Sequence, residues 1–217
     1  MPSASRPLTA PIYQTNVYVF EDMDTVESVW EHKKPGFVYG RYGTANHTML
    51  EDLVAALEGA EAAVACASGM GATTALLFGL FERGDHVVAA RDLYGTTAAF
   101  LSDEGRRLGI ATDFVDATDA AGILAALRDN TRAVFVEAIS NPLLRLVDLP
   151  AIAGELSRRR IELIVDASMA SPAVLRPIEH GASIVMHSLT KFISGHGDVT
   201  GAWCSAGRTR WRGCATP

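Results

Sequence analysis

Ala62-Ala63-Val64-Ala65-Cys66-Ala67-Ser68-Gly69-Met70-Gly71-Ala72-Thr73-Thr74-Ala75-Leu76-Leu77 is the stretch on which the fold turns. Its first five residues form an apolar run of strand length, and Ser68-Gly69-Met70-Gly71 interrupts it before a second apolar run. No charge occurs from Ala62 to Phe81, a span long enough to cross a bilayer. The interruption makes strand, glycine turn and buried helix the better reading, and no membrane span is expected. Working outward, short apolar runs recur at 86–90, 111–115, 132–136, 161–165 and 184–187. Helical stretches lie between most of them, clearest at Leu149, Ile152, Ala153 and Leu156, with Pro150 in the first turn. Such alternation predicts right-handed crossovers and a mostly parallel sheet flanked by helices, so the fold class is α/β.

Both ends of the chain read differently. Residues 1–45 carry Pro2, Pro7, Pro11 and Pro35 with little helical period, and an extended N-terminal arm is expected there. The opening MPSASRPLTAPIYQTN has no basic region followed by a continuous apolar one, so no signal peptide is expected. Thr48-Met49-Leu50-Glu51 reads as a capping box, opening a helix through Leu50, Leu53, Val54 and Leu57 that stops at Gly59. The main domain is expected over 46–202. Residues 203–217, WCSAGRTRWRGCATP, hold two of three tryptophans, two of three cysteines and three arginines, with no period of either kind. An aberrant tail and a premature end are expected there, a basic tail being the plainer alternative.

Composition narrows the function classes. The chain has 217 residues, 48% hydrophobic and 20% charged, which suits an ordinary globular protein of one large domain or two small ones. A formal charge of −6 argues against nucleic acid or an anionic membrane as partner. Cys66, Cys204 and Cys214 are too few for a disulfide framework or a four-sulfur zinc site, and a reducing, cytoplasmic setting is expected.

In a parallel sheet, ligands bind beyond the carboxyl ends of the strands. That rule selects Ser68-Gly69-Met70 after the first run, and Asp92 and Tyr94-Gly95-Thr96-Thr97 after the second. It also selects Glu137 with Asn141, Asp166, and Ser188-Leu189-Thr190-Lys191. Backbone N–H groups at a helix start, with hydroxyls nearby, suit a phosphate. A lysine beside such a cradle suits an aldehyde, and pyridoxal phosphate carries both groups. Its pyridine nitrogen needs an acidic partner, which either Asp166 or Glu137 could supply, and a tyrosine face could stack on the ring. Taken singly, each of these residues has a commoner explanation as a cap, a solvated charge or a core edge. Their shared position is what raises the reading.

The sequence resembles the pyridoxal-phosphate enzymes of cysteine and methionine metabolism, which include cystathionine synthases and lyases, methionine γ-lyase and acyl-homoserine sulfhydrylases. The resemblance rests on Pro11-Ile12-Tyr13-Gln14-Thr15, Tyr39-Gly40-Arg41, Leu57-Glu58-Gly59, Ala67-Ser68-Gly69-Met70, Tyr94-Gly95, Ser140-Asn141-Pro142, Val165-Asp166, Arg176-Pro177, His187-Ser188-Leu189-Thr190-Lys191 and Gly195-His196 with Asp198. It runs in register from residue 11 to about 201. It implies the fold-type I pyridoxal-phosphate transferase architecture, of which the smaller C-terminal domain is expected to be missing.

The resemblance also implies roles. Lys191 would be the Schiff-base lysine and proton shuttle, Asp166 the partner of the pyridinium nitrogen, and Tyr94 the stacking ring. Gly69 and Met70 would give backbone donors to the phosphate beside Ser68, with Ser188 and Thr190 adding hydroxyls. Tyr39 and Arg41 would reach the phosphate of a neighbouring subunit, so a homodimer or homotetramer with shared sites is implied. Asn141 would lie near the ring hydroxyl and Glu137 would support. The implied reaction is β- or γ-elimination or replacement on a small sulfur amino acid or an acylated homoserine.

Some positions depart from the family pattern. Thr44-Ala45-Asn46 stands where members usually read Asn-Pro-Thr, and Asp166-Ala167-Ser168-Met169 keeps only the aspartate and a hydroxyl of Asp-Asn-Thr-Phe. Thr96 replaces the cysteine of methionine γ-lyases, which counts against that subtype. Two other readings compete: a pyridoxal-phosphate-binding remnant without turnover, and a nicotinamide enzyme built on Gly69-Met70-Gly71 and Asp92. The second lacks its third glycine, Thr74 standing there, and leaves Lys191 without a role. His32, His47, His86, His180, His187 and His196 show no ligand spacing, so no metal is expected.

Overall fold

The computed structural model describes residues 8–206, in two compact units, 1–50 and 51–217. In the first, Asp22 caps helix α1 (Met23–Trp30) by accepting a hydrogen bond from the Thr25 N–H at 2.7 Å. The extended arm expected over 1–45 therefore contains a helix of two turns, started by an aspartate cap that the proline count did not weigh. Tyr18 packs on Phe37 and Trp30 meets Tyr42 edge-on. Asn46 Oδ1 accepts from the Tyr13 N–H at 2.8 Å.

Helix α2 (Ala45–Glu58) begins three residues before the expected capping box. Thr44 takes the cap role, its hydroxyl accepting from the His47 N–H and its carbonyl from the Thr48 N–H. Thr48 is thus inside the helix. Glu51 is not a capping partner either, because its Oε1 accepts from the Ala65 N–H at 2.9 Å.

The second unit is built around a seven-stranded sheet. Its strands are β1 (Ala62–Cys66), β2 (His86–Ala90), β3 (Ala111–Val115), β4 (Thr131–Glu137), β5 (Glu162–Asp166), β6 (Ile184–Ser188) and β7 (Ala202–Ala206). Helix α3 (Gly69–Leu80) follows β1, and α4 (Gly95–Phe100) follows β2, continuing through a wider turn at Leu101–Gly105 into α5 (Arg106–Leu108). Helices α6 (Ala120–Ala125) and α7 (Leu149–Arg158) complete the set, each capped by an aspartate, Asp119 and Asp148. The strand order is β1-β7-β6-β5-β4-β2-β3. Pairs β2–β3, β2–β4, β4–β5 and β5–β6 are parallel, and β7 is antiparallel to both neighbours. Because β7 alone is reversed, β1 points the same way as the parallel set. The carboxyl ends of β1, β2, β3, β4, β5 and β6 therefore share one edge. The six apolar runs all form strands, with ends shifted by at most one residue.

Strand β7 occupies the start of the stretch expected to be an aberrant tail. Trp203, Cys204, Ser205 and Ala206 are buried between β1 and β6. A strand covered on both faces shows no alternation, so absence of period could not distinguish it from irregular chain. Residues 207–217 of that expected tail lie outside the described residues.

Under β6 sits a buried polar pair. His187 Nε2 lies 2.9 Å from Glu58 Oε2, and neither side chain is exposed. The imidazole also packs on Trp203, ring centroids 4.8 Å apart. Among the described residues, Glu58 Oε1 and His187 Nδ1 have no hydrogen-bond partner. Each group therefore depends on the other. Removing one partner of a buried pair leaves the other stranded, at a cost of about 3–5 kcal/mol. Glu58→Ala should lower unfolding stability by roughly that amount in urea titration, and a loss below about 1 kcal/mol would show that the pair is dispensable.

Candidate active site

Ten residues expected at the site line one pocket of about 370 Å³ in the second unit: Ser68, Gly69, Met70, Tyr94, Glu137, Asn141, Asp166, Ser188, Thr190 and Lys191. The other two, Tyr39 and Arg41, belong to the first unit. There the Arg41 guanidinium lies 4.8 Å from the centre of the Tyr39 ring and 5.0 Å from that of Tyr42.

The pocket is assembled from strand ends. Ser68, just past β1, caps α3 by accepting from the Gly71 N–H at 3.0 Å, and its carbonyl accepts from Ala72. The remaining first-turn donors of that helix are the N–H groups of Gly69 and Met70. A Cβ on Gly69 would lie in ordinary contact, 3.5 Å from both Cβ and Oγ of Ser188, so it would fill space between the helix start and the end of β6. Helix start, serine and threonine converge as an anion site requires.

Asp166, at the end of β5, is buried. Its Oδ1 accepts from the Ser168 N–H at 2.9 Å, and Ser168 Oγ in turn accepts from the Ser188 N–H at 2.8 Å. Burial pushes the Asp166 carboxyl above its ordinary value, while the Ser168 bonds and the charges of His187 and Lys191 pull the other way. A buried carboxylate raised in this way gains from a cationic donor placed against it.

Glu137 ends β4, directly beside Asp166 in the parallel register. Its Oε1 accepts from the Tyr94 N–H at 2.5 Å, which fixes the start of α4 and the root of the Tyr94 ring. Burial pushes its carboxyl up to about 7, and Asp166 and Asp92 add to the rise against the Tyr94 and Asn141 N–H bonds. Lys191 (φ −103°, ψ −126°) interrupts the helical turn Leu189–Ile193 that follows β6. The Leu189 N–H donates to Gly201 O at 2.9 Å, tying this turn back to the sheet.

The site holds a further residue that strand-end reasoning missed. Thr73 of α3, buried, lines the same pocket, as does the buried Thr97 already selected beyond β2. Thr73 Oγ1 donates to Gly69 O at 3.2 Å, so it braces the anion turn. The available signal was a threonine one helical turn beyond Gly69. Asp92, the ribose ligand of the nicotinamide reading, is instead paired with Arg145 at 3.0 Å. Burial, and then the Glu51 charge, push the Cys66 thiol up, which disfavours the thiolate a nucleophile needs. Among the described residues no helix is long and apolar enough to cross a membrane.

The family model described as Cys/Met metabolism PLP-dependent enzyme matches residues 2–213, PLP being pyridoxal 5′-phosphate. The chain belongs to this family. Among curated relatives, the L-methionine gamma-lyase of Fusobacterium nucleatum subsp. polymorphum is 41% identical over 193 residues, covering 88% of this chain and 49% of that protein. The O-succinylhomoserine sulfhydrylase of Pseudomonas aeruginosa is 40% identical over 186 residues, covering 86% of this chain and 46% of the relative. A solved structure of a putative O-acetylhomoserine (thiol)-lyase from Campylobacter jejuni, containing N′-pyridoxyl-lysine-5′-monophosphate, superposes with a TM-score of 0.88 at 30% identity. That match covers 94% of this chain and 51% of the other. The chain thus spans about half the length of the relatives it matches, and its sheet has the fold-type I architecture.

The donor set fits the family cofactor: an anion turn, a lysine, an exposed tyrosine and a carboxylate raised by burial share one pocket. The raised Glu137 gives a pH test. Its folded value of about 7 lies above the ordinary 4.5, so between those limits the folded state holds the proton and the unfolded state releases it. That contribution is complete below about pH 4.5 and is lost as pH rises through about 7. Urea unfolding at pH 5 and pH 8 should show a larger fall for the native chain than for Glu137→Gln. Equal falls would contradict the raised value.

Proposed function

We propose that this chain carries the cofactor site of a pyridoxal-phosphate enzyme that eliminates or replaces the β- or γ-substituent of a sulfur amino acid or an acylated homoserine. The observation that supports it most is the convergence of Lys191, Asp166 and the Gly69–Met70 turn on one pocket, in a chain of this family. Bound there, pyridoxal phosphate supplies an aldehyde that captures amines and a ring that accepts the electron pair of a broken bond.

The chain's own residues do the rest. The N–H groups of Gly69 and Met70 would hold the phosphate, bordered by the hydroxyls of Ser68, Ser188 and Thr190. Asp166 would accept from the ring N–H, its carboxylate already oriented by the Ser168 N–H. Tyr94 would cover the ring, its backbone placed by Glu137. Asn141 would serve the ring oxygen. Lys191 Nζ would anchor the cofactor and carry the proton of the substrate α-carbon. We assign Tyr39 and Arg41 to the phosphate of a second subunit, since a guanidinium fork binds phosphate oxygens in pairs. That assignment makes the working protein a homodimer or homotetramer, and it acts on small molecules in the cytoplasm rather than on nucleic acid or membrane. The domain scheme keeps the arm, 1–45, separate from the cofactor-binding domain, whose sheet extends through β7 to Ala206.

Neither subtype is favoured, because a lyase and a sulfhydrylase match at 41% and 40% identity. Titration with pyridoxal phosphate should give a saturable visible band, absent in Lys191→Ala. Asp166→Asn should weaken binding about ten-fold or more, the worth of one hydrogen bond to a charged group. Assays for thiol and 2-oxo acid from methionine or cystathionine, and for sulfide incorporation into acyl-homoserines, test the reaction. Tight binding without turnover on any of them would leave a cofactor-binding remnant.

A further inference from the structure

Arg145 takes no part in the proposed chemistry, yet it joins three segments at the rim of the pocket. Its Nη1 donates to Asp92 Oδ2 at 3.0 Å. Its Nη2 donates to both carboxylate oxygens of Asp116, at 2.9 and 2.7 Å, and to Thr118 Oγ1 at 2.9 Å. Asp92 follows β2 and precedes Tyr94 by two residues, whereas Asp116 and Thr118 follow β3. Arg145 itself closes the loop that follows β4. Its N–H donates to Ser140 Oγ at 3.1 Å, and its carbonyl accepts from the Ser140 N–H at 3.0 Å. Asn141, which lines the pocket, sits inside that closed loop.

We infer that Arg145 is the positioning residue of this pocket, a guanidinium clamp that holds the Asn141 loop and the Tyr94 turn in fixed relation across the ends of β2, β3 and β4. The argument is geometric. Two carboxylates on different strand ends would repel one another, and one planar cation set between them turns that repulsion into two ion pairs. The hydroxyl of Thr118 takes a further bond, so the fork is held from three directions. Lysine could keep the charge but not this bridging geometry. The clamp also meets the site through Glu137, which lines the main pocket and also a small cleft shared with Asp92, Ser140 and Arg145.

The half-exposed clamp is weak as a stability device. Its effect should therefore be local, and two readouts separate that from general loosening. Hydrogen–deuterium exchange on the full chain reads the N–H groups of Tyr94, Ser140 and Arg145. Titration with pyridoxal phosphate reads the pocket. Arg145→Gln should speed exchange at those amides ten-fold or more, leave β5 and β6 protected, and weaken cofactor binding about ten-fold. Arg145→Lys should fall between the two. Asp116→Asn, which removes one arm, should move the same readouts less, and it decides the question if Arg145→Gln does not fold. Arg107→Gln, at a surface ion pair with Glu104, is the control and should change neither. Exchange and binding unchanged in Arg145→Gln, or exchange faster over the whole sheet, would overturn the clamp. The binding arm rests on the cofactor reading proposed above. If the native chain itself binds no pyridoxal phosphate, that reading fails, and the exchange arm still decides the clamp.

Discussion

Asp166 is a carboxylate held out of water at the end of a central strand, and the pocket is arranged around it. Burial raises its carboxyl, so the ionised form needs a cation and fixed donors nearby. Ser168 supplies one donor through its backbone and links Asp166 to Ser188, the residue that ends β6. Lys191 follows three positions later, its charge favouring the ionised aspartate. Gly69 lies against Ser188 on the other side, where the α3 donors begin. The lysine, the acid and the anion turn are thus tied by a short chain of contacts rather than gathered by chance. The sheet makes this possible: with β7 alone reversed, six carboxyl ends open on one edge.

Much of this was legible because it depends on local pattern. Alternating apolar runs marked all six strands up to Ser188, and the rule that ligands sit past strand ends selected Gly69, Tyr94, Glu137, Asp166 and Lys191 together. The capping box was not reliable, because Thr44 and Thr48 both offer a hydroxyl one turn ahead of a helical stretch. The bonds of Thr44 to the His47 and Thr48 N–H groups decide between them, and Glu51 turns instead to Ala65. Strand β7 was illegible for a different reason: a strand buried on both faces has no alternation to display. Tyr39 and Arg41 entered only through the resemblance, as no strand end carries them. Arg145 could not be seen at all, since its meaning lies in three loops far apart in sequence that meet only in the folded chain.

Family membership and pocket geometry bear on different questions. Membership gives the class of chemistry, and the pocket offers groups suited to hold a phosphate and to manage a proton at a ring nitrogen. Neither separates elimination from replacement, because relatives of both kinds are about equally similar. The match covers about half of those proteins.

The central claim is that Lys191 is the one lysine placed to anchor the cofactor. The sequence makes this unusually easy to test, because it contains only three lysines, Lys33, Lys34 and Lys191. The chain would be mixed with pyridoxal phosphate, reduced with borohydride, digested and mapped by mass spectrometry. The account predicts a pyridoxyl adduct on the peptide bearing Lys191, with Lys33 and Lys34 unmodified. An adduct on Lys33 or Lys34 at equal or greater occupancy would contradict it.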